Sequence, residues 1–142
     1  MANQRRRSEV LHDDSVLRLG HLNITVADLD LSVAFYDRWF GFDRVLADYD
    51  DGTCFMTDST GFELGLHPGG PTPSSANWHF GFLSPDPTCV RDLMTSLSAA
   101  GVPVTDPEDE PTYVGFKCQD PDGHVIEVYW EPRTERGRAA PL

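Results

Sequence analysis

Hydrophobic and polar positions follow two different periods along the chain, and the same order of periods occurs twice. In the first half, a two-residue period over residues 16–26 predicts a strand. Apolar residues at helical spacing follow from Leu31 to Trp39, and Gly41 is expected to end that helix. Either Asp28 or Asp30 can cap its start. Three further strands are predicted at residues 43–49, 53–58 and 61–67.

The second half restarts this pattern after a segment rich in Pro, Gly and Ser. A strand is predicted over residues 78–84, followed by a helix that Asp86 caps and Gly101 ends. The remaining predicted strands are 102–105, 112–118 and 124–130, with an acidic loop from Asp106 to Pro111. These boundaries predict one domain over residues 16–132, divided into modules 16–67 and 77–131 by a linker at 68–76. Residues 1–15 and 133–142 are expected to be a flexible arm and tail.

The two halves correspond at their histidine and at the start of their helix. His21 and His79 each lie seven residues before an Asp that can cap a helix, Asp28 and Asp86. Such an internal repeat predicts a duplicated βαβββ unit. The expected fold class is α+β, in which two βαβββ modules form a curved sheet around a cavity and the helices pack outside it.

The last predicted strand carries a carboxylate among apolar residues. It follows the turn Asp120-Pro121-Asp122-Gly123, and Glu127 shares one of its faces with Val125 and Tyr129. A carboxylate that is buried alone is costly, and a cation would compensate for the cost. The alternative is an edge strand with Glu127 in solvent.

The charge distribution narrows the choice of partners. The formal net charge is −12, and residues 8–132 hold five basic groups against 22 acidic ones. Such a surface repels nucleic acid and anionic membranes. The three cysteines form no paired framework, no apolar run approaches a membrane span, and Arg5-Arg6-Arg7 precedes no apolar stretch of a signal peptide. We therefore expect a cytoplasmic protein with no nucleic-acid or membrane partner.

Three segments resemble the vicinal oxygen chelate superfamily, which contains glyoxalase I, fosfomycin-resistance enzymes, extradiol dioxygenases and bleomycin-resistance proteins. The segments are Gly20 to Tyr36, Trp78-His79-Phe80-Gly81-Phe82, and Asp120 to Glu127. The resemblance spans residues 17–131 and implies the same paired-module fold.

The resemblance also implies a metal site. Its metal-using members bind a divalent ion with the residues that correspond to His21, His79 and Glu127, and glyoxalase-like members add the position of Glu63. Two imidazoles and a carboxylate suit Fe, Mn, Ni, Co or Zn and leave positions open for two neighbouring substrate oxygens. Glu63 is either a fourth ligand or the general base.

Departures from the family's patterns disfavour two of the reactions that its members catalyse. Extradiol dioxygenases carry a Tyr where this chain has Lys117, and glutathione-type fosfomycin transferases carry a Thr where it has Asn23. Ring cleavage and epoxide opening by those routes are therefore disfavoured. Bleomycin-type binding proteins lack the metal triad, which this chain retains.

We therefore expect a metal-dependent lyase, isomerase or related enzyme that acts on a small oxygenated molecule. Asn23 and Tyr129 are candidates to orient the substrate, although core packing is an alternative for Tyr129. His67 is interpreted as cavity-rim or surface, and His124 as surface. Because such half-barrels often pair or swap, we expect a homodimer. The competing hypothesis is a non-catalytic protein that sequesters an antibiotic or another aromatic compound in the same cavity.

Overall fold

The computed structural model describes residues 17–70 and 75–132. The predicted arm at residues 1–15 and the predicted tail at residues 133–142 lie outside the described residues. The division into modules with a linker at residues 68–76 stays a prediction.

The first unit has its elements in the predicted order. They are β1 (His21–Val26), α1 (Leu29–Phe40), β2 (Arg44–Asp48), β3 (Cys54–Thr57) and β4 (Glu63–Pro68). The strands form one sheet in the order β1-β4-β3-β2, in which β1 and β4 run parallel. Of the two candidate caps, Asp28 starts α1 by accepting a hydrogen bond from the Leu31 backbone N–H at 3.2 Å. Gly41 ends the helix in the left-handed conformation, with φ 73°.

The second unit repeats this arrangement. Its elements are β5 (Phe80–Leu83), α2 (Pro87–Ala99), β6 (Val104–Glu110), β7 (Tyr113–Gln119) and β8 (Val125–Trp130). The sheet order is β5-β8-β7-β6, and β5 runs parallel to β8. Asp86 caps α2 through a 2.6 Å hydrogen bond from the Thr88 backbone N–H. The predicted α+β fold with two βαβββ units is thereby confirmed, and both sheets are open and curved.

The second unit differs from prediction at two places. His79 lies immediately before β5 and not within it. The prediction that Asp106 to Pro111 form a loop is wrong, because β6 continues to Glu110. A register shift between Thr105 and Glu108 interrupts the pairing with β7, and Asp106 has a φ of 52° there. This bulge accommodates Pro107, which has no N–H to donate, and the edge position of β6 leaves its acidic side chains in solvent.

The apolar faces of both sheets contribute to one hydrophobic core cluster. Its buried members include Ile24, Val26, Phe35, Tyr36, Phe42, Met56, Leu64, Leu66, Val90, Leu97, Val114, Phe116, Ile126 and Val128. Phe40, the last residue of α1, stacks on Phe82 of β5 with ring centroids 4.5 Å apart. The two units are therefore packed together through aromatic as well as aliphatic contacts.

The buried carboxylate of Asp120 connects the two units through hydrogen bonds. The side chain is in the turn before β8, and Asp120 is 5% exposed. Its Oδ2 accepts from the Tyr36 hydroxyl of α1 at 2.7 Å, and its Oδ1 accepts from the Asp122 and His124 backbone N–H groups, each at 2.9 Å. Asp122 in turn accepts from the Ala27 backbone N–H at 2.9 Å. We call Asp120, Asp122, His124 and Tyr36 the interunit cluster.

The interpretation of His124 as a surface residue is wrong. Its side chain is 12% exposed, and its Nδ1 lies 2.7 Å from Asp120 Oδ2. The hydrogen bond to Asp120 raises the pKa of His124 against the opposing effect of burial. Burial alone would raise the pKa of the Asp120 carboxyl, but hydrogen bonds from His124 and Tyr36 outweigh it and the pKa lies below its usual range.

The cysteines have different environments and all three thiols are free. Cys54 and Cys118 are buried, whereas Cys89 is exposed on α2. Burial raises the pKa of Cys118 to about 12, so this thiol stays protonated at neutral pH. Within residues 17–70 and 75–132, none of the helices has the length and apolarity that crossing a bilayer requires. The cytoplasmic location stays a prediction.

We predict that Asp120→Asn lowers the free energy of unfolding by about 1–3 kcal/mol, because the buried Tyr36 and His124 donors lose an ionised acceptor. Because the pKa of His124 is raised in the folded protein, its contribution to the free energy of unfolding is complete below its unfolded pKa of about 6.5. This contribution is lost as pH rises through the folded pKa. Because the pKa of Asp120 is lowered in the folded protein, its contribution to the free energy of unfolding is lost as pH falls through the folded pKa. Urea unfolding between about pH 6 and pH 9 should therefore show wild-type stability declining through the His124 titration, with a weaker decline in the variant. Equal pH dependence of the two proteins would contradict this assignment.

Candidate metal centre

The first sheet carries one half of the predicted metal site on the face that points away from the core, which we call its polar face. His21, Asn23 and Thr25 alternate with the core residues of β1. The parallel register places His21 opposite Glu63 of β4, so both side chains start from neighbouring positions on one face. Asn23 is opposite Gly65, where a Cβ would overlap Asn23 Oδ1. The glycine therefore leaves the space that the Asn23 side chain occupies.

The second sheet brings His79 and Glu127 into direct contact. His79 Nε2 lies 3.2 Å from Glu127 Oε2, and the two side chains are 33% and 26% exposed. The 48 residues between them in sequence are bridged by the parallel pairing of β5 with β8, in which Gly81 is opposite Glu127. The pair is therefore accessible from solvent at the start of β5.

The other nitrogen of His79 indicates which tautomer the neutral ring adopts. Nδ1 lies 2.9 Å from the Asn77 carbonyl oxygen, which can only accept a hydrogen bond. Nδ1 therefore carries a hydrogen, and in the neutral imidazole the lone pair is on Nε2, facing the Glu127 carboxylate. Two acceptors 3.2 Å apart repel each other unless a cation, either a proton or a metal ion, lies between them.

The donor set fits a divalent metal ion. A hydrogen bond from one ring nitrogen to a backbone carbonyl is the usual support of a metal-binding histidine. Two ligands at right angles around a metal, each about 2.1 Å from it, are about 3 Å apart. The separation of His79 Nε2 and Glu127 Oε2, 3.2 Å, is close to that value. The residues present are therefore suitable to hold the metal that the sequence predicts.

Tyr113 is a member of this site that sequence analysis missed. Its hydroxyl donates a hydrogen bond to Glu127 Oε1, the oxygen that does not face His79. Burial and the hydrogen bond to Glu127 both raise the pKa of Tyr113. Tyr129 of β8 stacks on Tyr113 with ring centroids 6.1 Å apart. The available signal was the alternation of Tyr113, Gly115 and Lys117 on one face of the strand beside Glu127.

A cavity of about 380 Å³ opens beside this pair. Its lining consists of Asp106, Pro107, Glu108, Tyr113, Phe116, Lys117 and Glu127. Lys117 is opposite Glu127 in the β7–β8 register, and its Nζ lies 3.8 Å from Asp106 Oδ2. The charged groups of the lining are therefore three carboxylates and one ammonium group, which is at the position where the resemblance implied a Tyr in extradiol dioxygenases.

The chain does not bring all the predicted ligands to one point. In the described ranges 17–70 and 75–132, one group has three potential ligand atoms within 4.8 Å of one another: Asp120, Asp122 and His124 of the interunit cluster. His21 therefore does not join His79 and Glu127 at that spacing. The Asp120 oxygens accept from Tyr36, His124 and two backbone N–H groups, so internal donors already stabilise this carboxylate.

His67 occupies the polar face of β4 beyond Gly65. It is half-buried, its ring contacts Phe55 edge-on at 5.7 Å, and it is opposite Thr25 in the register. Its Nε2 is buried and has no hydrogen-bond partner among the described residues. The interpretation of His67 as a rim residue agrees with its half-buried position, although its nitrogen is shielded from solvent.

Two βαβββ units, each of which brings a His close to a Glu, define the class of this protein as a paired-module α+β fold. The sequence profile of the Glyoxalase/Bleomycin resistance protein/Dioxygenase superfamily matches residues 18–128. The chain belongs to this superfamily, and the resemblance noted from its sequence is confirmed.

Similar proteins extend over nearly the whole chain. The uncharacterized protein PA2024 of Pseudomonas aeruginosa is 33% identical over 135 residues, which are 87% of this chain and 96% of that protein. The structure of a possible glyoxalase from Bacillus cereus is 27% identical, with a TM-score of 0.70 over 80% of this chain and 98% of that one. The fosfomycin resistance protein FosX of Listeria monocytogenes, solved with Mn(II) and a sulfate ion, has a TM-score of 0.70 at 18% identity. The latter match covers 85% of this chain and 95% of FosX, and it shows the fold.

We predict that Gly65→Ala destabilises the protein by about 1–3 kcal/mol, because a methyl group there overpacks the polar face. The Cβ would overlap Asn23 Oδ1 and lie 2.9 Å from Phe55 Cε1. Urea unfolding measures the change. Gly70→Ala is the matched control, since a Cβ at Gly70 meets nothing within 4 Å. Equal stability of the two variants would show that Asn23 and Phe55 have room to move.

Proposed function

We propose that this protein is a divalent-metal-dependent enzyme of the lyase or isomerase type that acts on a small oxygenated molecule. The observation that carries the proposal is the contact of His79 Nε2 with Glu127 Oε2, because Nδ1 donates to Asn77 and leaves two acceptors facing each other. A cation between these two acceptors removes their repulsion, and the distance between them suits two ligands of one metal ion.

His21 is the third proposed ligand, and Glu63 beside it is either a fourth ligand or the general base. When bound, the metal supplies Lewis-acid stabilisation of a developing oxyanion or enolate. Glu63 is exposed on the polar face, where its carboxylate can accept a proton from a carbon next to a substrate carbonyl. Asn23, two residues from His21, can donate its amide hydrogens to a substrate oxygen, and Tyr129 lies on the Glu127 face to orient the ligand.

A homodimer would complete this site, and three features of the fold support it. The proposed ligands divide between two separate sheets: His21 and Glu63 on the first, and His79 and Glu127 on the second. In the sheets as described, β1 and β5 are terminal strands, and edge strands with free polar groups favour pairing with another chain. Large apolar side chains near these edges are exposed, among them Leu19 and Trp78 at 80% and 42%. The first sheet of one protomer would face the second sheet of its partner.

A binding protein without turnover is the second candidate, supported by the aromatic surface beside the metal pair. Trp78 is exposed immediately before His79, and it packs edge-on against Phe80 at 5.9 Å. An exposed indole next to the metal pair suits a flat aromatic ligand. Such a protein would bind its ligand tightly in the absence of metal and release it unchanged.

We expect near-stoichiometric Fe, Mn, Ni, Co or Zn in the wild-type protein, and loss of this metal in Glu127→Ala. Removing the carboxylate leaves His79 without its partner ligand, so affinity falls by at least about 10-fold. Plasma mass spectrometry of tag-free protein measures the content. Glu63→Ala is analysed beside it, because reduced metal content indicates a fourth ligand whereas full content with lost turnover indicates the base. Absence of metal in the wild type after incubation with each ion would favour the binding protein.

We also predict that His21→Ala and Glu127→Ala complement each other if the site lies between protomers. Each homodimer lacks one ligand at both sites, whereas a mixed dimer has one site with His21, His79 and Glu127 all intact. Differently tagged chains are coexpressed, the mixed dimer is purified with both tags, and its metal content is compared with that of each homodimer. Metal at about one ion per mixed dimer is expected. A mixed dimer as empty as the homodimers would place the site within one chain.

A further inference from the structure

We infer that Tyr113 is a positioning residue that makes Glu127 a one-oxygen ligand and keeps an additional metal position open for substrate. This inference rests on the proposed function. The two oxygens of Glu127 have different partners: Oε2 faces His79 Nε2 at 3.2 Å, and Oε1 accepts the Tyr113 hydroxyl hydrogen. An oxygen that accepts this hydrogen bond is restrained from turning toward a metal held on the other side of the carboxylate.

The surrounding residues hold the Tyr113 ring in place. A Cβ on Gly115 would lie 2.6 Å from the Tyr113 hydroxyl and 2.8 Å from the ring, so the ring occupies the space that a side chain there would fill. On its other side the ring stacks on Tyr129, with an interplanar angle of 17°. The hydroxyl is therefore already positioned beside Glu127, and little side-chain entropy is lost when the hydrogen bond forms.

The number of oxygens that Glu127 offers determines how much of the metal remains for substrate. With Glu63 as the general base and with His21, His79 and one Glu127 oxygen as ligands, an octahedral ion such as Mn(II) keeps about three positions, enough for two neighbouring substrate oxygens and one water. If Glu127 bound the metal through both of its oxygens, about two of these positions would remain. Tyr113 therefore favours the coordination that a substrate with two neighbouring oxygens needs, although Tyr113 need not touch that substrate.

The test compares Mn(II) binding by the wild type and Tyr113→Phe, which keeps the ring and removes only the hydroxyl. Free Mn(II) is measured by electron paramagnetic resonance during titration, and water-proton relaxivity is measured at saturation. We expect the dissociation constant to rise about 10- to 100-fold in the variant, as on loss of other hydrogen bonds to metal ligands. Relaxivity should fall by about a third when Glu127 binds through both oxygens and displaces one of three waters.

Two further variants separate positioning from packing. Gly115→Ala should reproduce both changes, because its methyl group displaces the Tyr113 hydroxyl from Glu127 without removing it. Tyr49→Phe is the matched control, since Tyr49 is exposed in the first unit and loses the same hydroxyl. Its affinity and relaxivity should equal those of the wild type. Thermal unfolding of each variant confirms that the proteins compared are folded.

The possible outcomes distinguish this inference from the proposed function. If the wild type binds Mn(II) and Tyr113→Phe matches it in both affinity and relaxivity, Tyr113 has no positioning role and the metal site stands. If the wild type binds none of Fe, Mn, Ni, Co and Zn, both the proposed function and the role of Tyr113 are overturned. Weaker binding and lower relaxivity in both Tyr113→Phe and Gly115→Ala, with Tyr49→Phe unchanged, support the inference.

Discussion

The parallel pairing of the first strand with the last strand of each unit is the constraint on which the candidate site depends. It places His21 opposite Glu63 and brings His79 to Glu127, although 42 and 48 residues separate the members of each pair. A parallel pair requires a long crossover connection, which the helix and the two intervening strands of each unit provide. The fold thus produces two His–Glu pairs by repeating one topology.

The electrostatics of the chain are consistent with a site for cations. A formal charge of −12 creates a negative potential that concentrates divalent ions and repels polyanions. The cavity beside Glu127 adds Asp106 and Glu108, against a single ammonium group from Lys117. The interunit cluster shows the contrasting case, because Tyr36 and His124 already stabilise the buried Asp120 carboxylate. Asp120, whose carboxylate accepts hydrogen bonds from other residues of the protein, holds the two units together, whereas Glu127 remains accessible for a ligand.

The pattern of the sequence predicted the structure where local signals and packing agreed. The helix cap Asp86, the helix end at Gly41 and the alternating faces of β1 and β8 were predicted from pattern, whereas pattern left Asp28 and Asp30 as alternative caps of the first helix. It failed at Asp106 to Pro111, where composition indicated a loop but a bulged edge strand tolerates proline and charge. It also failed at His124, whose turn position suggested solvent, because its partner Asp120 is buried against a helix of the other unit.

Periodicity and turn residues predicted the duplicated βαβββ order, because both are properties of short stretches of chain. The resemblance of three short segments indicated the superfamily and implied the residues suited to a metal. The atoms that meet in the site are known only from the folded chain. The Asn77 carbonyl sets the tautomer of His79, Tyr113 takes one oxygen of Glu127, and Gly115 leaves room for that tyrosine. These contacts depend on strand register and on side-chain packing between strands, which no single stretch of sequence specifies.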